Sequence, residues 1–392
     1  MTKTNIATSD IDVFSDEVLQ NPYPPYAKLR EQSTVVFLEK NNLWAVTRYQ
    51  AIRDALENHE VFSSTKVAFN EDMNRALAGT SLATDPPEHR QLRKTLLAPL
   101  TPRALKSIED DIKGKAEQLV DELVSRGSFD AIGDLARAFP LEVVSDMIGV
   151  QGVARENILR WGEAAFNVLG PMNQRTIENF PIAGELFQWC VGVQQDDLTE
   201  GSLGWGIFEA AKRGEIALES CGAIIHQYVA AGMDTTIASI GNAISHFAAN
   251  PGEYAKLVAD PSLVRSAFNE SLRFEPPANL FGRYVKSDVE VDGTVIPAGA
   301  QVAVLFAAGN RDPRHYDDPD TYRIDRDPAD NLAFGYGIHT CAGQGLARIE
   351  ALAILSAFAK RVSSFKVGEP QRVLNNMTRA LSSLPVVEVE AA

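Results

Sequence analysis

Phe334-Gly335-Tyr336-Gly337-Ile338-His339-Thr340-Cys341-Ala342-Gly343-Gln344-Gly345-Leu346-Ala347-Arg348 reads as a glycine-rich loop that delivers one cysteine to the start of a helix. Glycine turns the backbone without a Cβ penalty and lets it approach a flat ligand closely. A helix N-terminus carries partial positive charge, which favours a thiolate over a thiol. Those are the needs of a sulfur that ligates a metal. A lone cysteine is more often a buried structural thiol, so the surrounding pattern must decide between the two. The other cysteines, Cys190 and Cys221, are far away in the chain. An odd number of widely spaced cysteines spells neither a disulfide framework nor a Cys-x-x-Cys site, and it fits a reducing compartment.

Outward from the loop, helical periodicity dominates. A helix is expected from about Gly343 to Lys360, and another within Asp260–Glu275, opened by Asp260-Pro261 and ended by Pro276-Pro277. The longest candidate runs from Ala217 to Ala249, which at ~1.5 Å per residue is roughly 50 Å, enough to cross a whole domain. Pro22 to Glu31 is a further helix, whereas Val35–Leu38, Leu43–Val46, Val289–Val291 and Gln301–Leu305 read as strands. The expected class is mainly α with a small β region. No linker, charge block or repeat divides the 392 residues, so one domain over 1–392 is the simplest organisation.

The formal charge of -15 repels nucleic acid and anionic lipid. No apolar run reaches the ~18–20 residues that span a bilayer, and Met1–Ile6 lacks the apolar segment of a leader. The expectation is a cytoplasmic protein with no nucleic-acid or membrane partner.

Phe-Gly-x-Gly-x-His-x-Cys-x-Gly followed by Leu-Ala-Arg resembles the haem-binding loop of cytochrome P450s. Further segments resemble that family in the same order: Asp85-Pro86-Pro87-Glu88-His89-Arg90-Gln91-Leu92-Arg93, Ala231-Gly232-Met233-Asp234-Thr235-Thr236, Glu270 with Arg273, and Asn310-Arg311-Asp312-Pro313. The resemblance implies the cytochrome P450 fold, with haem b (iron protoporphyrin IX) between a long central helix and the cysteine loop. It makes Cys341 the iron ligand, and His89, Arg93, Arg283 and His339 the partners of the haem propionates. Asp234 and Thr235 become the acid and alcohol that relay protons to dioxygen, while Glu270 and Arg273 lock the core. The covalent attachment pattern Cys-x-x-Cys-His is absent, so haem is expected without thioether links.

Asp10-Ile11-Asp12-Val13-Phe14-Ser15, Phe166-Asn167 with Gly170-Pro171, and Arg273-Phe274-Glu275 are similar to the bacterial branch that O-demethylates para-methoxybenzoates. That likeness implies a small aromatic substrate. Phe166 and Leu169 would wall a flat ring, with Ala231 and Phe281 near the iron, although both walls are equally readable as plain core. Lys66 and Gln227 are the candidates to hold a carboxylate. His226, Gln227, Ala230 and Lys66 depart from the hydroxyl and arginine side chains of that branch, which leaves neutral phenols such as guaiacol or alkylphenols as the alternative. A peroxide-driven peroxygenase is disfavoured by the intact Asp234-Thr235 pair, and a haem sensor by the lack of a signalling segment. No cysteine cluster or nucleotide fingerprint accompanies the haem motifs. Electrons are therefore expected from an iron–sulfur ferredoxin and its NAD(P)H-dependent reductase, docking on a basic patch of Arg90, Lys94, Arg103 and Arg348. The segment from Asn70 to Thr84 is the expected entrance to the pocket.

Overall fold

The computed structural model describes residues 6–392, so Met1–Asn5, read above as part of a leaderless N-terminus, lies outside the described residues. Its centre is helical. The cysteine helix, Gln344–Arg361, lies along Pro102–Arg126 and also packs on Asp234–Ala249 and Val264–Phe274. Pro102–Arg126 begins with Thr101, whose hydroxyl accepts the Ala104 N–H, has Pro102 at its first position, and ends at Gly127 with φ +76°. Its buried Ile112, Ala116, Val120 and Leu123 recur at helical spacing and meet Ile354, Leu355 and Phe358 in one apolar core. Among the described residues no helix is long and apolar enough to cross a membrane.

A six-stranded sheet flanks the helices, in the order Thr8–Ser9, Val35–Leu38, Leu43–Val46, Gln301–Val304, Phe281–Val285 and Phe62–Ser63. Val35 pairs with Val46 and Phe281 with Val304 antiparallel, whereas Trp44 and Val302 pair in parallel. Strand alternation in Phe281–Val285 sends Phe281 and Arg283 to the cavity described below, and packs Gly282 on the opposite side. A Cβ at Gly282 would lie 2.5 Å from the Val67 carbonyl oxygen.

The expected strands are present, and Val289–Val291 forms a hairpin with Thr294–Ile296. Asp292 and Gly293, both at positive φ, make its two-residue turn. The expected Ala217–Ala249 helix is two helices, Ser220–Gly232 and Asp234–Ala249, broken at Met233. The reason is local: Gly232 lacks a Cβ, and Asp234, Thr235 and Thr236 compete for backbone partners. Asp260–Glu275 likewise opens as a 3₁₀ turn, Pro261–Leu263, before the α-helix Val264–Phe274.

On that helix Glu270 and Arg273 are both fully buried and paired twice, at 2.7 and 2.8 Å. Arg273 also donates to the carbonyls of Asn310 and Pro319, and Glu270 accepts the Arg323 N–H. The pair thus pins the irregular chain that leads to the cysteine loop. Cutting one partner strips a buried charge of its two-bond counterpart, although Arg326 still reaches Glu270 at 3.3 Å. Arg273→Ala should cost about 3–5 kcal/mol, read as a lower urea midpoint, with Arg273→Lys falling between because it lacks the planar fork. An unchanged midpoint would show that the pair does not hold this chain.

Candidate active site

Cys341 sits three residues before the cysteine helix. Its N–H donates to the Phe334 carbonyl at 2.8 Å, which closes the loop. Gly335 and Gly337 have φ +69° and +73°. At Gly337 a Cβ would lie 2.5 Å from the Leu56 carbonyl oxygen, so this glycine serves the approach of the loop to the Tyr49–Glu57 helix rather than to a ligand. Burial pushes the Cys341 thiol up, whereas the N–H groups of Gly343 and Gln344 and the Arg93 guanidinium pull it down. The sulfur faces a cavity shared with Thr235, Phe166 and Phe281.

One edge of that cavity collects basic side chains from three elements. Arg93 and Arg283 line it, and neither forms an ion pair among the described residues. Arg93 donates to the Thr340 carbonyl, and Arg283 to the Gly282 carbonyl at 2.7 Å. Burial lowers the Arg283 guanidinium to about 10. His89 and His339 approach with ring centroids 4.3 Å apart, and both His89 nitrogens and His339 Nε2 are buried without a partner. Burial, aided by Arg283, drives His339 down to about 3. Two cations and two neutral rings with unused nitrogens, beside a sulfur held by N–H donors, fit a planar iron ligand that carries two carboxylates. Among the described residues no cluster of three or more His, Cys, Asp or Glu offers an all-protein metal site instead.

The helix break supplies the second group of polar residues. Ala231, Gly232, Thr235 and Thr236 line the cavity. Thr235 Oγ donates to the Ala231 carbonyl at 3.4 Å. Asp234 does not line the cavity; its carboxylate accepts from Thr378 Oγ at 3.2 Å. Burial first, and then Glu163, raise this carboxyl to about 6, against the opposing Thr378 hydroxyl and Arg137. Sequence reasoning missed Thr378, which lies 144 residues away in the chain and belongs to no local pattern.

Phe166, Leu169, Ala231 and Phe281 all line the cavity, as do Met73, Leu77, Thr80, Ser81 and Leu82 from the expected entrance segment. That segment contains a short helix, Glu71–Ala76, instead of a plain loop. Gln227 is present too, but Lys66 is not. Lys66 pairs with Glu71 at 2.7 Å on the outer surface, and its ammonium lies 5.1 Å from the centre of the Tyr284 ring. The carboxylate role expected of Lys66 is therefore corrected. Gln227 Oε1 accepts from the Ser81 N–H and hydroxyl, and its Nε2 donates to the Ala223 carbonyl at 3.1 Å. Fixed backbone groups at both ends set the orientation of this amide. His226, stacked on Phe187, is held neutral by burial, which lowers it to about 4.

Of the expected docking residues, Arg90, Lys94 and Arg103 are exposed. Arg348 is half-buried: it donates to Asn269 at 2.7 Å and lies 4.8 Å from the centre of the Phe334 ring. It therefore braces the cysteine loop and leaves the patch.

The cytochrome P450 family profile matches residues 207–386. The chain is 37% identical to cytochrome P450 CYP199A2 of Rhodopseudomonas palustris over 96% of its own length and 93% of the relative. It is 31% identical to the vitamin D(3) 25-hydroxylase of Pseudonocardia autotrophica, over 98% of each chain. Among solved structures, cytochrome P450 CREJ in complex with (4-ethylphenyl) dihydrogen phosphate superimposes with a TM-score of 0.86 at 25% identity, covering 94% of this chain and 98% of that one. The chain belongs to the cytochrome P450 family of haem b monooxygenases.

Proposed function

We propose that this monooxygenase hydroxylates or O-demethylates a small para-substituted aromatic compound, with Cys341 as iron ligand and His89, Arg93, Arg283 and His339 holding the propionates. The observation that carries the reading is that Cys341, Thr235 and the aromatic walls Phe166 and Phe281 line one cavity. Haem b held there would supply monooxygenation, in which one atom of dioxygen enters a C–H bond and the other leaves as water, with two protons and two electrons consumed. On a methoxy carbon the product is a hemiacetal, which collapses to formaldehyde and a phenol. The N–H groups of Gly343 and Gln344 offset part of the burial that disfavours negative charge on Sγ. Thr235 presents its hydroxyl at the cavity. Asp234, with a carboxyl near 6, is roughly one-tenth protonated at pH 7, so it can both hold and release a proton.

The far end of the cavity favours a neutral head group. Gln227 stands on the helix before the Met233 break and Thr235 on the helix after it, and both line the cavity. Ser81 gives its hydroxyl proton to Gln227 but keeps lone pairs, and His226 is neutral. A phenol O–H can donate to Ser81, whereas a carboxylate there meets no cation. The CREJ complex holds (4-ethylphenyl) dihydrogen phosphate, which agrees with the ring and its para substitution but carries an acidic head group. A para-methoxybenzoate is the second reading, favoured by the likeness of Asp10–Ser15 and the Phe166–Pro171 segment to that branch. Electrons would come from a ferredoxin docking at Arg90 and Lys94, one turn apart on a single helix face, with Arg103 beyond.

Titrating the ferric, haem-loaded protein and following the Soret band, 4-methylphenol and guaiacol should give saturable shifts, at least about tenfold tighter than 4-methoxybenzoate, a difference of ~1.4 kcal/mol. The reverse order would restore the acid reading. Asp234→Asn should lower product formation from 4-methylphenol about 10²-fold with its spectral affinity unchanged, and full retention of turnover would remove Asp234 from proton supply. Reversing Arg90, Lys94 and Arg103 to glutamate should slow reduction by an acidic ferredoxin and flatten its salt dependence in stopped-flow. Unaltered rates would move docking elsewhere.

A further inference from the structure

The turn Asn375-Asn376-Met377-Thr378 joins two hairpin strands, Gln371–Leu374 and Arg379–Ser383, and is buried throughout. Asn376 fills its hydrogen-bonding capacity with the segment that covers the cavity. Its Nδ2 donates to the Asn167 carbonyl at 2.9 Å and to Thr176 Oγ at 3.0 Å. Its Oδ1 accepts from Asn173 Nδ2 at 2.8 Å and Arg175 Nε at 3.0 Å. Packing there is close enough that a Cβ at Gly170 would lie 2.4 Å from Asn376 Nδ2. Phe166 and Leu169, in the same covering segment, form the cavity wall.

The neighbouring residue carries the connection onward. Asn375 Nδ2 donates to the Glu163 carbonyl at 3.2 Å, and its Oδ1 accepts the N–H groups of Met377 and Thr378. Thr378, thus fixed, gives its hydroxyl to Asp234. Among the described residues Asp234 has no ion-pair partner within 4.0 Å. The charged groups that bear on it are Glu163 from the Gly152–Asn167 helix and Arg137 from the Ala131–Arg137 π-helix.

We propose that Thr378 is a positioning residue for Asp234, and that its turn makes the setting of this carboxyl depend on the seating of the segment 166–176 over the cavity. Asp234 stands on a helix anchored in the main core, and the turn is held from two sides, by the cover through Asn376 and by the 277–279 segment through the Ala278–Thr378 bridge and the Asn279 N–H to the Met377 carbonyl. Lifting the cover breaks the Asn376 bonds and removes one of the two restraints on the turn, which loosens the Thr378 donation to the carboxyl. The proposal rests on the reading of Asp234 as the proton carrier, and it adds that protons are supplied from a fixed geometry only under a closed cover.

The test is infrared difference spectroscopy of the haem-loaded enzyme across pH, with the protonated carboxyl band of Asp234 assigned by its loss in Asp234→Asn. A hydroxyl that donates to the carboxylate favours its charged form, so losing it raises the protonation midpoint. Thr378→Val should move the midpoint up by roughly half to one pH unit, and Thr378→Ser should return it. Asn376→Ala should shift it in the same direction with Thr378 intact. Asn173→Ala, at the half-buried rim of the same contact, serves if Asn376→Ala does not take up haem. A midpoint unmoved in Thr378→Val overturns the positioning role, and one moved there but not in the asparagine variants overturns the link to the cover. Full turnover in Asp234→Asn would instead remove the proton-carrier reading, leaving the band shifts to be judged separately.

Discussion

The rest of this molecule depends on one sulfur set in an apolar cavity with hydrogen-bond donors and a guanidinium turned on it. Burial alone pushes the Cys341 proton affinity up, and the protein answers with N–H donors from Gly343 and Gln344 and with the Arg93 guanidinium. The donors exist because a helix starts there, and the helix can start there because the loop before it is closed by the Phe334 carbonyl and turns through two left-handed glycines. Glu270 and Arg273 act one step further out: they hold Asn310 and Pro319, and hence the chain that sets where the loop begins. Each layer is a polar cluster in an apolar interior, tolerable only because its members satisfy one another.

Electrostatics divide the cavity. Cations and unpartnered imidazoles gather at one edge, with Arg93, Arg283, His89 and His339, where two carboxylates of the cofactor would compensate them. At the other end Ser81, Gln227 and His226 are neutral and mostly engaged with one another. An anionic substrate would have to displace those bonds without gaining a counter-charge, a cost that a phenol avoids. The sole cation expected near that end, Lys66, has its partner Glu71 outside the wall.

What could be read from sequence follows from how local the determinants are. The cysteine loop, the Glu270–Arg273 spacing and the His89–Arg93 spacing each lie within one element, so a linear pattern carries them. Lys66 failed because it lies in an irregular stretch after a two-residue strand, where no periodicity fixes a side chain's direction, and its ammonium finds Glu71 and the Tyr284 ring instead. The helix through Met233 reads as one run because periodicity persists on both sides of a break only one residue long, while Gly232, Asp234, Thr235 and Thr236 mark where it kinks. Thr378 and Asn376 were invisible for a different reason. Asparagine and threonine in a hairpin turn look like ordinary turn chemistry, and only the fold shows that their side chains face helices more than 140 residues earlier.

That last point bears on how the acid works. A buried carboxyl paired with a cation would be held well below neutrality, permanently charged and slow to carry protons. Asp234 has a hydroxyl partner instead, with Glu163 opposing ionisation and Arg137 favouring it, and the balance leaves it near 6. A neutral partner stabilises the charge weakly enough that small movements matter: a hydrogen bond of this kind is worth about one pH unit or less, which at this midpoint moves the protonated fraction at neutral pH between about one-tenth and about half. The same contact bonded to arginine would be both stronger and less responsive. A threonine carried on a turn that also anchors the cavity cover is therefore suited to make proton supply sensitive to closure without trapping the proton.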